Sequence, residues 1–305
     1  MSTTQQAVAI GRGLIGRRPV RRGWFGGVHG ADYVWAIAFA LPYAAIFLAF
    51  VVYPICFGIW MGSSLALYQE LFSDPRYLMT VANTLIYVGI GVNLKLFVAF
   101  LLTGFFIRKS WWTKALLVVF ILPWATPALP AYISIHWFLS GTWGLLNSAL
   151  YDMFNIDGPI YLNDRWMGLS ANIGAYIWKT LPFWTVILLA GRMSVPQELY
   201  EAAAVDGATG LRRFKHVTLP LMANLYLVCT LLDMVFALGD FNSTFFVSGG
   251  GPAMSTEVLA TLGIRYAFTL GVPNLGVATV MSALPVLLPL VILLMRKLRM
   301  SEGQL

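Results

Sequence analysis

The sequence predicts an all-α integral membrane fold of six transmembrane helices with both termini cytoplasmic. Three observations predict it: the ratio of apolar to charged residues, the length of the apolar runs, and the one-sided placement of lysine and arginine. Apolar side chains make up 59% of the 305 residues and charged ones 11%, too few polar groups to cover a water-facing surface. A span needs about 20 helical residues, and apolar runs of that order lie at 35–61, 81–107, 115–138, 169–191, 221–247 and 275–295. The runs are continuous rather than alternating, which argues against a transmembrane β-barrel. Prolines inside them, such as Pro42, Pro54, Pro123, Pro182 and Pro289, predict kinks; neighbouring helices and polar side chains can satisfy the carbonyls so freed.

Orientation follows from the basic flanks, which are retained on the cytoplasmic side. Arg12, Arg17, Arg18, Arg21 and Arg22 precede the first run, and Arg108, Lys109 and Lys114 separate the second from the third. Arg192, Arg212, Arg213 and Lys215 lie between the fourth and fifth, and Arg296, Lys297 and Arg299 follow the sixth. The other connections hold only Arg76, Arg165 and Arg265 among acids such as Glu70, Asp74, Asp157 and Glu257. Three regions result: a basic cytoplasmic tail (1–32), a transmembrane domain (33–298) carrying a cytoplasmic loop at 194–220, and a short cytoplasmic tail (299–305). The net charge of +7 is therefore topological and no nucleic-acid footprint. The basic tail also suits anionic lipid. The first run is too long for a signal-peptide core and has no clear small-residue cleavage site, so an uncleaved first helix is expected. Cys56 and Cys229 lie in apolar runs and read as small hydrophobes.

The loop at 194–220 is more structured than a passive connector requires. Ser194 followed by Gln197 fits a capping box, with Pro196 in the first turn. Ala202, Ala203 and Ala204 favour helix and leave room for another backbone, and Gly207 ends the segment. Thr209 is expected to cap a second short helix through Lys215, with Pro220 opening the next span. A short, rigid helix flanked by spans suits docking in a partner's groove and passing force to the membrane.

This loop resembles the EAA signature of ABC importer permeases through Glu201, Ala202, Ala203, Asp206, Gly207, Ala208, Phe214, Leu219 and Pro220. The resemblance implies that it docks on a cytoplasmic ATPase subunit. Residues 178–183 (WKTLPF) and 241–252 (FNSTFFVSGGGP), with Thr256, Glu257 and 265–268 (RYAF), narrow the resemblance to the carbohydrate group that includes maltose-type and glycerol-phosphate-type permeases. The segment 141–147 (GTWGLLN) is similar to that family as well. What the resemblance implies is a type I ABC importer permease-like fold in the bacterial inner membrane, moving a sugar or sugar derivative. Its partners would be a second permease, read as a heterodimer, two ATPase subunits that use ATP and Mg, and a periplasmic substrate-binding protein. This subunit would bind no cofactor or metal of its own and catalyse no bond chemistry.

Ionisable groups inside a bilayer are costly and tend to face the bundle or a water-filled path. Lys95, Lys179, Asp233 and Asp240 are such groups. By resemblance to maltose-type permeases, Lys179, Thr180 and Phe183 would line a substrate pathway with Asp240 and Asn242. The plainer alternative has Lys179 snorkelling to the outer interface and Asp240 capping a helix end. Lys95 and Asp233 read as structural, facing a second subunit. Gly249, Gly250 and Gly251 precede Pro252 without the lysine and threonine of a phosphate loop, so they mark an external helix break. The rival readings are an ion-coupled secondary transporter using Asp233 and Asp240, and a membrane enzyme. The enzyme is disfavoured because His29, His136 and His216 are scattered. An exporter is disfavoured by the importer resemblance alone.

Overall fold

The computed structural model describes residues 30–108, 110–141 and 143–302. The expected tail arginines, Arg12 to Arg22, and Lys109 lie outside the described residues. The described residues fall into two compact units, divided after Phe57.

The helix of the first predicted run, α1 (Tyr33–Met61), belongs to the first unit as far as Phe57 and carries aromatic pairs four residues apart there, Trp35–Phe39, Tyr43–Phe47 and Tyr53–Phe57. Its ladder widens to a π turn at Leu48–Val52, two residues before Pro54. Proline removes the bond to residue i−4 and collides with that carbonyl; a wider preceding turn moves the carbonyl aside without ending the helix.

In the second unit α2 (Leu65–Ser73) leads into the long α3 (Pro75–Phe106), which begins at Asp74 and Pro75, an acidic cap followed by a residue that needs no N–H partner. Then come α4 (Trp111–Ala125), α5 (Ala128–Phe138), α6 (Leu145–Phe154), α7 (Arg165–Met193) and α8 (Gln197–Val205). The remainder is α9 (Gly210–Leu238), α10 (Asn242–Val247), α11 (Leu259–Ile264), α12 (Pro273–Met281) and α13 (Leu284–Glu302). The described residues contain no strand.

The main core joins α3, α7 and α9. On α3 the buried Tyr87, Val88, Val92, Leu96, Ala99 and Phe100 recur at three- and four-residue steps, one helical face. They meet Leu169, Ile173, Tyr176, Trp184 and Leu188 of α7 and Met222, Cys229 and Met234 of α9. A second cluster unites α2 and the start of α3 with α11 and α12. There the last two helices touch backbone to backbone: a Cβ on Gly276 would sit 2.5 Å from the Gly263 carbonyl oxygen. Such small-residue contacts are how helices approach closely in lipid, where tails compete with any apolar side chain.

Among the described residues, α1, α3, α7 and α9 are each long and apolar enough to cross a membrane; α4 and α5, bent by 94°, supply a fifth crossing if taken as one span. The third, fifth and sixth runs, each expected to form one span, are therefore interrupted. The third bends at Thr126 and Pro127, the fifth stops after Leu238 and resumes as α10, and the sixth is divided between α12 and α13. In the last case Pro285 has no N–H to carry the ladder onward from Met281.

Two local expectations in the 194–220 loop are corrected. Ser194 makes no capping box with Gln197; it closes α7, its hydroxyl donating to the Gly191 carbonyl at 2.7 Å, and the next helix begins only at Gln197. Pro196 is the reason, because it biases Val195 away from helical geometry and is itself extended (ψ 131°). Pro196 thus precedes the first turn rather than lying in it. The segment after Thr209 is also no separate short helix ending at Lys215. It runs unbroken into the span as α9, through a π turn at Phe214–Thr218 two residues before Pro220. The device is the same one that accommodates Pro54.

Candidate functional site

A cavity of about 360 Å³ opens where α7, α9 and the start of α10 face the α4–α5 bend. Lys179, Thr180, Phe183, Asp240 and Asn242, the five residues singled out for the pathway, all line it. Trp124, Tyr132, Tyr176, Trp184 and Phe236 line it too, and these were not anticipated. Part of that omission had a signal: Tyr176, Thr180, Phe183 and Trp184 follow one another at four, seven and eight residues and so share a helix face. Trp124 and Tyr132 come from the two arms of the bend, and no periodicity connects them to α7.

Lys179 neither snorkels nor points a free charge at the cavity. Its Nζ donates to the carbonyls of Pro123 at 2.7 Å, Trp124 at 3.1 Å and Thr126 at 2.5 Å. Where α4 ends at the bend these carbonyls have no helical partner, so the lysine caps α4 with a positive charge at the negative end of its dipole. Its three protons are all committed. The residue fixes the shape of the cavity wall.

Lys95 and Asp233 do not face out of the chain. Their side chains are 0% and 1% exposed and pair with each other at 2.8 Å, linking α3 to α9. Lys95 Nζ also donates to Thr180 Oγ1 at 2.8 Å and lies 3.7 Å from the Tyr176 ring centroid; Tyr176 Oη donates to Asp233 at 2.9 Å. The group ties three spans together at the cavity wall, which Tyr176, Thr180 and Asp233 help to line. Burial on this scale explains why two charges persist there, since each is the counter-ion the other requires.

Asp240 sits in the break between α9 and α10, half-buried, accepting from Tyr87 Oη at 2.6 Å and from the Ser243 hydroxyl. Among the described residues no cation pairs with it. Across the cavity Trp124 and Phe183 stack with centroids 5.5 Å apart. Aromatic faces beside a carboxylate and hydroxyls form a surface for a polyhydroxylated ligand.

The glycine-rich stretch after α10 is a braced turn. Gly249 and Gly250 have φ of 64° and 82°, and a Cβ on Gly250 would meet Glu257 Cγ at 2.8 Å. Glu257 pairs with Arg265, Thr256 Oγ1 donates to the Gly251 carbonyl at 2.8 Å, and Asn83 of α3 donates to the carbonyls of Ser255 and Glu257 at 2.7 and 2.9 Å. Nearby, Asp74 caps α3, pairs with Arg76 at 2.8 Å and accepts from Tyr266. The Arg76 hydrogen bond is the main reason its carboxyl is held down to about 2.

At the opposite end of the spans, α8 closes with a Schellman pair: Ala208 N–H donates to the Ala203 carbonyl at 2.8 Å and Gly207 N–H to that of Ala204 at 3.0 Å, with Gly207 at φ 74°. Glu201, Ala202, Asp206 and Gly207 are exposed, and Ala203 and Ala208 partly so. Phe214 packs at a tilt against Phe100 of α3 with centroids 5.2 Å apart, and Tyr200 Oη lies 3.3 Å from Thr218 Oγ1. Leu219 and Pro220 lie inside α9.

Comparisons with known proteins complete the picture. Residues 95–299 match the family model described as binding-protein-dependent transport system inner membrane component. The sulfoquinovosyl glycerol transport system permease protein of Agrobacterium fabrum is 31% identical over 246 residues, 75% of this chain and 79% of the relative. The trehalose/maltose transport system permease protein of Thermococcus litoralis is 29% identical over 260 residues, 78% of this chain and 84% of the relative. In fold, the chain is similar to a chain of a bacterial ABC transporter involved in the import of the acidic polysaccharide alginate, with a TM-score of 0.75, 22% identity, and coverage of 88% of this chain and 96% of that one.

Proposed function

The chain belongs to the binding-protein-dependent transport system inner membrane components, and from that premise we propose that it is the permease subunit of an ATP-driven ABC importer for a sugar or sugar derivative. Its partners are a second permease, in a heterodimer, two ATPase subunits that consume ATP with Mg, and a periplasmic binding protein. Relatives named for sulfoquinovosyl glycerol and trehalose/maltose transport support a carbohydrate cargo. The observation that carries the reading is the cavity, which Asp240, Asn242 and Thr180 line with polar groups alongside the stacked rings of Trp124 and Phe183.

In this mechanism Glu201, Ala202, Ala203, Asp206, Gly207 and Ala208 form the surface that meets the ATPase, and Phe214, Leu219 and Pro220 seat the loop on the spans. The continuity of α9 supports the coupling. From Gly210 to Leu238 it is one helix, roughly 40 Å long at about 1.5 Å per residue. A push at Phe214 therefore reaches Leu238, two residues before Asp240, without leaving the helix. The Lys95–Asp233 pair makes α3 and α9 move with α7, so nucleotide binding biases the bundle between two arrangements. Asp240 and Asn242 bond the ligand's hydroxyls, Phe183 covers its C–H face, and Lys179 acts on the ligand only by holding the bend.

The test is ATP hydrolysis by the reconstituted complex. Ligand-loaded binding protein stimulates the wild type, while Glu201→Ala loses the stimulation at unchanged melting temperature and Gly207→Val, strained at φ 74°, loses it as well. Uptake that proceeds without any ATPase subunit and follows an ion gradient would overturn this reading in favour of an ion-coupled transporter.

A further inference from the structure

Lys179, Asp233 and Asp240 are the ionisable acids and bases that line the cavity, and they differ in what each has left for a ligand. Lys179 has committed its three protons to the carbonyls of Pro123, Trp124 and Thr126, and its charge stands against the negative end of the α4 dipole, which offsets roughly half of it. Asp233 pairs with Lys95 at 2.8 Å, and that lysine side chain is 0% exposed. Neither positive charge is therefore open to an incoming acid. Asp240 differs. Tyr87 and Ser243, 1% and 0% exposed, both donate to its Oδ2 and so hold the carboxylate from its buried side. Its Oδ1 takes no donor from the described residues and is not enclosed by them.

The carboxylate is thus fixed in place with one oxygen open, on a wall shared with the Asn242 amide and the rings of Phe183 and Phe236. An ionised carboxylate only accepts hydrogen bonds, so hydroxyls and amines suit it, and aromatic faces add attraction for a protonated amine. A carboxylate, sulfonate or phosphate on the cargo meets a like charge after losing its own water. We propose that Asp240 is a charge filter: the cargo is a sugar bearing hydroxyls or an amine, and acidic sugars are rejected. This rests on the cavity being the sugar path and deepens that reading by naming the class of sugar. Two like charges roughly 6 Å apart at an effective dielectric of about 20 weaken binding about a hundredfold, which is the discrimination expected between an acid and its neutral counterpart.

The experiment titrates methyl glucoside, glucosamine and glucuronate, one ring carrying a neutral, a basic and an acidic group, onto the permease–ATPase complex in nanodiscs. The binding protein is left out because its own preference would mask that of the cavity. Saturation-transfer NMR reads weak binding, and the part of the signal that Phe183→Ala removes reports the cavity. In the wild type the neutral and basic sugars should bind and the acid should bind about a hundredfold more weakly. Asp240→Asn should bring the ratio of acid to neutral sugar towards one, and Asp240→Glu should restore the rejection. If Asp240 only braced α10 through Tyr87 and Ser243, Asp240→Asn would weaken all three sugars together and leave the ratio as it was. That result, or wild type binding the acid as tightly as the neutral sugar, overturns the filter and leaves the sugar path standing. The wild-type ratio decides by itself if Asp240→Asn does not fold. No Phe183-dependent signal from any of the three sugars would overturn the path and the filter together.

Discussion

Replacing Lys95 by methionine removes the one cation that pairs with Asp233 among the described residues, and the Asp233 side chain is 1% exposed. Breaking a buried pair from one side leaves an uncompensated charge and costs about 3–5 kcal/mol. Asp233→Asn, made alone, strands the lysine, whose side chain is 0% exposed, at a comparable cost. If the two sites were independent, the double variant would lose roughly 6–10 kcal/mol. The geometry says otherwise, because removing both partners removes the buried charge altogether. What remains is the loss of the Lys95–Thr180 hydrogen bond and the weakening of the bond from Tyr176, about 1 kcal/mol each. The double variant should therefore be more stable than either single one, with a coupling energy above about 3 kcal/mol. Equilibrium unfolding of the purified subunit in mixed micelles, followed by tryptophan fluorescence, measures the cycle. A double variant as unstable as the sum of the singles refutes the reasoning, since it would mean that the two residues act through separate contacts.

Lys179→Met strands the Trp124 and Thr126 carbonyls at the α4–α5 bend, while the Pro123 carbonyl keeps the Thr126 hydroxyl at 2.8 Å, and should cost about 2–5 kcal/mol of stability. Preference between neutral and anionic sugars in vesicle uptake should stay unchanged, because the charge faces the backbone; a normal melting temperature with altered charge preference would contradict this. Asp74 is held at about 2 against an ordinary 3.8, so its ionised form contributes stability that is fully present above the ordinary value and is lost as pH falls through about 2. The melting difference between wild type and Asp74→Asn should shrink over that interval. A difference independent of pH would show that the Arg76 pairing contributes nothing.

Legibility varied with the kind of force at work. Apolar runs and loop chemistry are local, so the helical character of the spans and the helix that Gly207 ends were readable along the chain. Pro196, Pro220 and Pro285 were visible too, but whether a proline stops a helix or is absorbed by a π turn depends on what the flanking residues pack against. Phe214 rests on Phe100, and α9 therefore stays unbroken where a separate helix was expected. Within the cavity, the α7 face was readable as a periodicity, whereas the wall supplied by Trp124 and Tyr132 was not.

By itself the sequence determined a basic, lipid-facing, all-helical chain with a small-residue loop at 194–220 and a few ionisable groups inside its apolar runs, because composition, run length and spacing act over one helix at a time. Only the tertiary structure decided what those ionisable groups do. Lys95 and Asp233 stand 138 positions apart and neutralise each other at 2.8 Å, while Lys179 binds carbonyls 53 to 56 positions before it. A buried charge must find its counter-charge or its acceptors wherever packing brings them, and that pairing follows how helices cross, which spacing along one helix does not encode.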